Sequence, residues 1–400
     1  MTAAAGTAPR LDPLDPLGIE GLLSDEERAG RDEVRRFVEE RFASEVEQLF
    51  EDARWPRELA GELGRLGLLG MHLDGYGCAG SSAVAYGLAC LELEAGDSGL
   101  RTFVSVQGSL AMTAIHTWGS EEQKQRWLPA LAAGEAVGCF ALTEPEAGSN
   151  PAEMRTTARR DGADWILEGT KRWIGMGSIA DVAVVWAGTG DGIRGFLVPA
   201  GTPGLEALDI TGKRGLRASL QSELRLEGCR LPADAMLPGA EGLRGPSTSL
   251  NEARFGVAWG VVGAARSCYE AALRHAGERE QFGGPIARYQ LVQAKLADMA
   301  CAVAQGTLLA LHLGRLKDAG RLAPQQISIA KRENVRMAQA VARDASSVLG
   351  GDGITDAYPV MRHMANLEAV ATYEGTDEVH TLILGNALTG IRAFASGERP

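Results

Sequence analysis

The chain has 400 residues, of which 45% are hydrophobic and 23% are charged. This composition is typical of a folded globular protein, and the length suggests two or three packed subdomains. The net charge of −12 argues against binding to nucleic acid, because proteins that contact phosphates are usually basic. Polar side chains interrupt the longest run without a charge, residues 102–120, so we expect no membrane-spanning helix.

Other compositional features indicate a compartment. Residues 1–18 lack a long apolar core and contain acidic side chains, so they fit neither a secretory signal nor a transit peptide. The six cysteines have no CxxC spacing, which predicts free thiols in a reducing compartment. The six histidines are equally scattered, so we expect no metal site. Lysine is rare beside arginine, which is typical of GC-rich genomes, and we expect a bacterial cytoplasmic protein.

The predicted elements change character twice along the chain. Residues 1–137 are predicted to be helical, with capping boxes that begin at Ser24 and Ser120. Residues 138–243 contain short alternating apolar runs that predict strands. These runs are 164–168, 180–187, 195–199, 205–210 and 223–226. Residues 244–400 return to long helical patterns, so the chain is predicted to have an α+β fold with a central β unit.

The segment 190–195 (GDGIRG) matches the GxGxxG fingerprint of dinucleotide-binding folds and follows an apolar strand. That fingerprint requires a helix directly after it, because the helix N-terminus binds the pyrophosphate. Here the next residues are FLVPA, which predict another strand. The sequence therefore predicts a hairpin turn at this point and no nicotinamide site.

Four clusters rich in glycine, hydroxyl groups or charge are candidates for ligand contacts. They are 139–151 (CFALTEPEAGSNP), 170–175 (TKRWIG), 279–285 (REQFGGP) with Gln290, and 349–353 (LGGDG) with 373–376 (YEGT). The first could offer backbone N–H groups and hydroxyls to an anionic ligand, although a domain linker would look similar. Trp173 in the second cluster could equally be a core residue. The third cluster, 279–285 with Gln290, could be an ordinary connector. Gly375 after Glu374 predicts a helix break that aims one carboxylate into a cleft, with a solvated side chain as the alternative.

Together, these clusters resemble the acyl-CoA dehydrogenase family of flavoproteins, and most of all its glutaryl-CoA dehydrogenase branch. The similarity covers residues 20–395. It is carried by GYGCAGSSAVAYGL, DSGLRTFVSVQGSL, GCFALTEPEAGSNP, REQFGGPIARYQLVQAKLADM and NLEAVATYEGTDEVHTLILGNALTGI. The resemblance implies an N-terminal helical domain (1–137), a central β domain (138–243) and a C-terminal four-helix bundle (244–400). It also implies FAD between these domains and a homotetramer.

The resemblance further implies two sets of FAD contacts. The first set lines the flavin and its diphosphate, with Trp173 over the isoalloxazine ring: Phe140, Leu142, Thr143, Gly148, Ser149, Trp173, Ile174 and Gly175. The second set holds the FAD of a neighbouring subunit or completes the site: Arg279, Gln281, Phe282, Gln290, Leu349, Gly350, Gly351, Gly353, Thr376 and Glu378.

Glu374 matches the catalytic base of the family, which removes the α-proton of an acyl-CoA thioester while a β-hydride passes to the flavin. A carboxylate can do this only if it is dry and aligned, with its pKa raised towards that of the activated substrate. The resemblance implies that the Glu374 backbone N–H stabilises the enolate oxygen. It implies substrate contacts from Arg101, Thr102, Glu94, Ser149, Asn251, Arg254, Tyr373 and Gly375.

Arg101 indicates the substrate class, because in the glutaryl branch the arginine at this position pairs with the distal carboxylate of a dicarboxylic acyl-CoA. A helix-surface salt bridge is the alternative. The implied reaction is oxidative decarboxylation of glutaryl-CoA to crotonyl-CoA and CO2, with electrons leaving to electron-transfer flavoprotein.

Three residues depart from the family pattern: Asn150 replaces an Asp, Gly175 a Thr or Ser, and Thr102 a Ser. A dehydrogenase or oxidase that acts on another dicarboxylic or carrier-bound thioester without decarboxylation therefore stays open. A non-catalytic flavin-binding homologue is the third alternative.

Overall fold

Helices, then strands, then helices follow one another along the chain, and the predicted α+β fold is confirmed. The computed structural model describes residues 11–393. The expectations for residues 1–10 and 394–400 lie outside the described residues. The six cysteines are free, and four of them are buried.

The helices before the sheet are α1 (Asp25–Arg36), α2 (Val46–Glu51), α3 (Glu58–Arg65), α4 (Ala83–Gly96), α5 (Ser98–Val104), α6 (Thr113–Trp118) and α7 (Glu121–Ala132). Both predicted capping boxes are confirmed, at Ser24 before α1 and at Ser120 before α7. A π-helical segment, Ser105–Met112, joins α5 to α6, so that residues 98–118 form one nearly continuous buried rod. This rod carries Arg101 into the interior.

The strands of the main sheet are β1 (Gly138–Ala141), β2 (Thr157–Asp161), β3 (Asp164–Gly175), β4 (Val182–Thr189), β5 (Gly192–Pro199), β6 (Leu205–Asp209) and β7 (Gln221–Leu231). Their order is β1-β4-β2-β3-β7-β6, and β5 pairs with β4. The predicted hairpin is confirmed, since Thr189 of β4 pairs with Gly192 of β5 across the turn.

Two strands were missed by the sequence analysis. β1 lies inside a segment that was interpreted as a loop, but its four residues are all buried and show no alternation of apolar and polar side chains. β2 is mostly exposed and polar, so periodicity gave no signal. Both strands are fixed by pairing, β1 parallel to β4 and β2 antiparallel to β3.

The sheet buries side chains on both faces, as the period of two in a strand allows. In β4, Val182, Val184 and Trp186 pack into the large core shared with the helices. Ala183 and Val185, which alternate with them, lie in a second core within the β domain. The sheet is therefore attached to the helical domains through one of its faces.

The helices after the sheet are α8 (Arg244–Glu278), α9 (Gln290–Asp318), α10 (Pro324–Leu349), α11 (Val360–Thr372) and α12 (Asp377–Thr389). A short hairpin of β8 (Glu280–Gln281) and β9 (Gly284–Pro285) joins α8 to α9 in the third candidate cluster, 279–285. α8 packs against both α10 and α4, and so connects the two helical domains.

Among the described residues, α9 alone has the length and apolar content of a membrane span, with a mean hydropathy of 1.4 over an 18-residue window. Part of this composition serves the helical bundle, because Met299, Val303 and Leu311 are buried in the core. One such helix is weak evidence for a membrane span, since core helices of folded bundles have the same length and apolar content.

Close approach of α8 to α4 depends on glycine at position 263. A Cβ atom there would overlap the backbone carbonyl oxygen of Leu91, which cannot move without displacing α4. We expect Gly263→Ala to lower the free energy of unfolding by about 2 kcal/mol, because overpacking forces the helices apart. Urea unfolding followed by circular dichroism measures the change. Gly277→Ala on the same helix is the control, since nothing lies within 4 Å of its Cβ position, and equal losses would contradict the explanation.

Candidate active site

Glu374 lies in a break between two helices. α11 ends at Thr372 and α12 begins at Asp377, and between them Glu374 and Gly375 have φ angles of 55° and 96°. A Cβ atom at position 375 would lie 2.9 Å from His380 Nε2, so both backbone and space favour glycine. The predicted helix break is confirmed, and a left-handed non-glycine residue at its centre indicates a functional constraint.

The Glu374 side chain is half-buried, and one of its carboxyl oxygens is shielded from water. Its Oε2 atom is buried and has no hydrogen-bond partner within residues 11–393. Burial raises the pKa of Glu374 to about 7, while the cations of Arg101, Arg254 and Lys331 oppose the rise. A solvated surface carboxylate does not fit these surroundings. A carboxyl group that titrates near neutral pH can serve as a general base.

Arg254, on α8, stabilises the break between α11 and α12. Its Nε atom donates a hydrogen bond to the Glu374 carbonyl oxygen at 2.8 Å. Asn251 lies three residues earlier on the same helix and is half-buried. Both were predicted as substrate contacts, and the structure shows that Arg254 fixes the backbone of Glu374.

Arg101 is fully buried, so a helix-surface salt bridge is wrong for this residue. Its Nε atom donates to Glu94 Oε2 at 2.6 Å, and its Nη2 atom donates to the hydroxyl of Tyr373. The other Glu94 oxygen accepts from Ser98 Oγ at 2.8 Å. Glycine at position 260 of α8 leaves the space for this pair, since a Cβ there would overlap Glu94 Oε2.

The segment of the rod that carries Arg101 has unused hydrogen-bonding groups. In the part of the chain that the structure describes, the buried Arg101 Nη1, Thr102 Oγ1 and Ser105 Oγ atoms make no hydrogen bond. Buried polar atoms normally have partners, and a buried guanidinium most of all. Arg101 therefore fits a ligand with an anionic or carbonyl group.

Trp173 owes its position to an irregularity in β3. The pairing of β3 with β7 changes register between Lys171 and Ile174, and Trp173 at this bulge has a φ of 63°. The Trp173 side chain is 53% exposed, whereas the Ile174 side chain is buried in the second core, within the β domain. Burial of Trp173 in the core is therefore wrong, and only the backbone of Ile174 could face a cofactor.

The segment after β1 lies beside this bulge. Thr143 accepts from the Arg172 N–H at 2.9 Å through its carbonyl oxygen, and Lys171 Nζ donates to the Leu142 carbonyl oxygen at 3.0 Å. Phe140 and Leu142 are buried, while Gly148 and Ser149 are exposed. Segment 140–149 and Trp173 thus come together as the sequence predicted. The backbone of segment 140–149 lies beside the exposed indole of Trp173, and this combination suits a planar cofactor with a diphosphate.

The second predicted set of FAD contacts is largely exposed in the single chain. Arg279, Gln281, Phe282, Gln290, Gly350, Gly351 and Glu378 are exposed, Thr376 is half-buried, and Leu349 and Gly353 are buried. Phe282 has a φ of 51° and is 93% exposed. Thr376 accepts from the Val379 N–H and caps α12. This chain alone does not bury the set.

Sequence reasoning missed Ser105 and Lys331. Ser105 lies four residues after Arg101 on the same rod, and that spacing could have indicated a shared face. Lys331 lies on α10, and no local pattern relates it to Glu374 or Arg101. Lys331 is buried and donates to two backbone carbonyl oxygens at the helix break.

The departure at Gly175 has a steric reason. A Cβ atom there would lie 2.9 Å from Val106 Cγ2 on the buried rod. We expect Gly175→Ser to lower the free energy of unfolding by about 2 kcal/mol and to weaken cofactor retention. Adding Val106→Ala to this variant should restore both stability and cofactor retention, because it removes the clashing methyl group. Chemical unfolding and the absorbance of bound cofactor measure these effects. Gly188→Ser on β4, where the nearest atom is 3.7 Å away, is the control. Failure of Val106→Ala to restore stability would contradict the explanation.

Comparisons with known proteins agree with this geometry. Family models of the acyl-CoA dehydrogenase N-terminal, middle and C-terminal domains match residues 24–135, 139–229 and 240–389. A crystal structure of glutaryl-CoA dehydrogenase from Mycobacterium smegmatis is 62% identical, with a TM-score of 0.95, over 96% of this chain and 100% of that chain. A glutaryl-CoA dehydrogenase structure from the same organism, in complex with FADH2, is 58% identical, with the same TM-score and the same coverage of both chains. The human mitochondrial short-chain specific acyl-CoA dehydrogenase is 35% identical over 90% of this chain and 89% of that protein.

Proposed function

Because the chain belongs to the acyl-CoA dehydrogenase family of FAD-dependent oxidoreductases, we propose that it oxidises glutaryl-CoA and releases crotonyl-CoA and CO2. The observation that carries this proposal is the buried Arg101, whose Nη1 atom has no partner among residues 11–393. A distal carboxylate would complete its hydrogen bonds, whereas a methyl-terminated acyl chain would leave a buried cation unsatisfied. The 62% identity to a glutaryl-CoA dehydrogenase supports the same substrate.

In the first step, Glu374 takes the α-proton of the thioester. The helix break presents its carboxyl group, and Arg254 fixes the adjacent peptide, so that little reorganisation is needed during proton transfer. The Glu374 N–H is proposed to donate to the thioester oxygen as enolate charge develops there. FAD, when bound, accepts the hydride that leaves the β-carbon.

In the second step, the distal carboxylate leaves as CO2. Arg101 holds that carboxylate before the reaction, and its existing bonds to Glu94 and Tyr373 keep the guanidinium in place afterwards. Loss of CO2 leaves its electron pair on the acyl chain as a dienolate. The proton that Glu374 took up returns to this dienolate and gives crotonyl-CoA. The burial of the Glu374 carboxyl group retains the proton between the two steps.

Exposed apolar residues within and outside the second FAD set support a proposed homotetramer. Phe282, Leu291 and Ile354 are exposed in the single chain, as are Leu388 and Ile391 near the end of α12. A second copy of the chain would cover part of this surface and place Phe282 against the neighbouring cofactor. We further propose electron-transfer flavoprotein as the electron acceptor and the bacterial cytoplasm as the compartment.

The experiment that tests the function is anaerobic mixing of the flavoprotein with glutaryl-CoA and, separately, with butyryl-CoA. We expect glutaryl-CoA to bleach the flavin and to yield crotonyl-CoA and CO2. Bleaching that stops at glutaconyl-CoA would keep the substrate and remove the decarboxylation step. Reduction by butyryl-CoA alone would assign the chain to the short-chain branch, and reduction by neither would contradict the proposal.

Glu374→Gln should lower the rate of flavin reduction at least about 10²-fold, because a positioned general base contributes 10²–10⁴-fold. In the unmodified protein, kcat/KM should fall about tenfold per pH unit below pH 7, because protonation of a base with a pKa of about 7 removes its activity. Stopped-flow reduction between pH 5.5 and 9 measures both. A rate that does not change across this range would exclude Glu374 as the titrating base.

Arg101→Gln combined with Glu94→Gln should lower kcat/KM for glutaryl-CoA about 10²-fold or more, because the distal carboxylate loses its charged partner. Both residues are changed together so that Glu94 is not left as an unpaired buried charge. The same rate measured with butyryl-CoA should fall far less, and this ratio is the internal control. An equal loss for both substrates would mean that Arg101 does not select the acyl chain.

A further inference from the structure

Lys331 is a buried cation near the base to which no role has been assigned. It lies on α10, 1% exposed, between α8 and the break that carries Glu374. A buried ammonium is costly unless its donors are satisfied. Its Nζ atom donates to the carbonyl oxygens of Val370 at 3.0 Å and Gly375 at 2.8 Å.

These two acceptors lie on opposite sides of Glu374. Val370 belongs to the last turn of α11, whose carbonyl oxygens lack partners within the helix. Gly375 directly follows Glu374, and Arg254 holds the Glu374 carbonyl oxygen. One ammonium therefore joins the last turn of α11 to the break, and two cations from separate helices fix the successive carbonyl groups of Glu374 and Gly375.

The charged groups around the base come from several elements. Arg101 on α5, Arg254 on α8 and Lys331 on α10 act on Glu374, and the Tyr373 hydroxyl adjoins Arg101. Around Lys331 itself lie Glu374, Arg254, Arg101 and Asp377.

His380 on α12 also lies near Lys331, and its Nδ1 atom pairs with Ser328 Oγ at 3.0 Å. Burial lowers the pKa of His380 to about 4, so this residue is neutral in the working range. Burial lowers the pKa of Lys331 to about 8, which leaves most of it charged at pH 7.

We propose that Lys331 is a positioning residue, whose ammonium fixes the Glu374 turn and favours the ionised form of the Glu374 carboxyl group. Lys331 donates to backbone oxygens only, so it acts through Glu374 and keeps its own proton during the reaction. This inference rests on the proposed role of Glu374 as the base. The nearby ammonium explains how Glu374 can begin the reaction without a proton, although its burial favours the protonated form.

The test is the pH dependence of flavin reduction in Lys331→Met, with whichever of glutaryl-CoA and butyryl-CoA reduces the unmodified protein faster. We expect the acid limb of kcat/KM to move about one unit towards higher pH, because a positive charge near Glu374 is lost. The rate should fall about tenfold at pH 6.5 and recover largely at pH 9. Lys331→Arg, which keeps the charge, should leave the limb within a few tenths of a unit of the original.

Asn334→Ala is the matched control. Asn334 lies three residues further along α10, is equally buried, and donates to the carbonyl oxygens of Ala258 at 2.8 Å and Gly306 at 3.2 Å. Its loss should lower stability without moving the acid limb. If Lys331→Met does not retain FAD, Lys331→Gln takes its place, because the amide still donates to a carbonyl oxygen without a charge.

The outcomes separate the two proposals. An unmoved acid limb in a folded, FAD-containing Lys331→Met or Lys331→Gln protein would overturn the role of Lys331, provided that Glu374→Gln is inactive. Equal movement of the limb in Asn334→Ala would also overturn it, since the shift would then reflect packing alone. Activity retained in Glu374→Gln would instead remove the base assignment on which the inference rests.

Discussion

The site depends on one constraint, which is that the Glu374 carboxyl group must be shielded from water at one oxygen and yet face three cations without pairing directly with any of them. Arg101 is committed to Glu94 and Tyr373, and Arg254 and Lys331 donate to backbone oxygens. Direct pairing would lower the pKa of Glu374 far below neutrality and make it a weak base. Because the three cations bind other acceptors, their positive charges still stabilise the ionised form of Glu374, while its Oε2 atom keeps no hydrogen-bond partner among residues 11–393.

Backbone irregularities position two of the candidate side chains of the site. Glu374 projects from a break where two consecutive residues have positive φ, and Trp173 projects from a bulge where β3 shifts its register against β7. Regular structure would have placed the glutamate on a helix face and the indole against the sheet. Both features carry backbone strain, which surrounding contacts must hold in place.

The sequence indicated the three zones, the capping boxes, the hairpin at 190–195 and the break at Gly375, because each depends on local periodicity or on one residue type. It missed β1, whose existence depends on pairing with the distant β4, and β2, whose exposed polar residues show no periodicity. Among candidate site residues, the local clusters contained Glu374 and Trp173, and the family resemblance added Arg101. Neither gave a signal for Lys331, which approaches Glu374 only when α10 packs in the bundle.

The sequence by itself determined the fold family and the chemical types at the site, because glycine breaks, caps and motif spacing are encoded within short segments. The tertiary structure decided which charges meet. Glu94 and Arg101 are paired because α5 follows α4 at once and Gly260 of α8 leaves room for them. The pKa of Glu374 depends on burial and on cations from three helices far apart in the chain. Electrostatic interactions act through space, so a chain order alone cannot specify them.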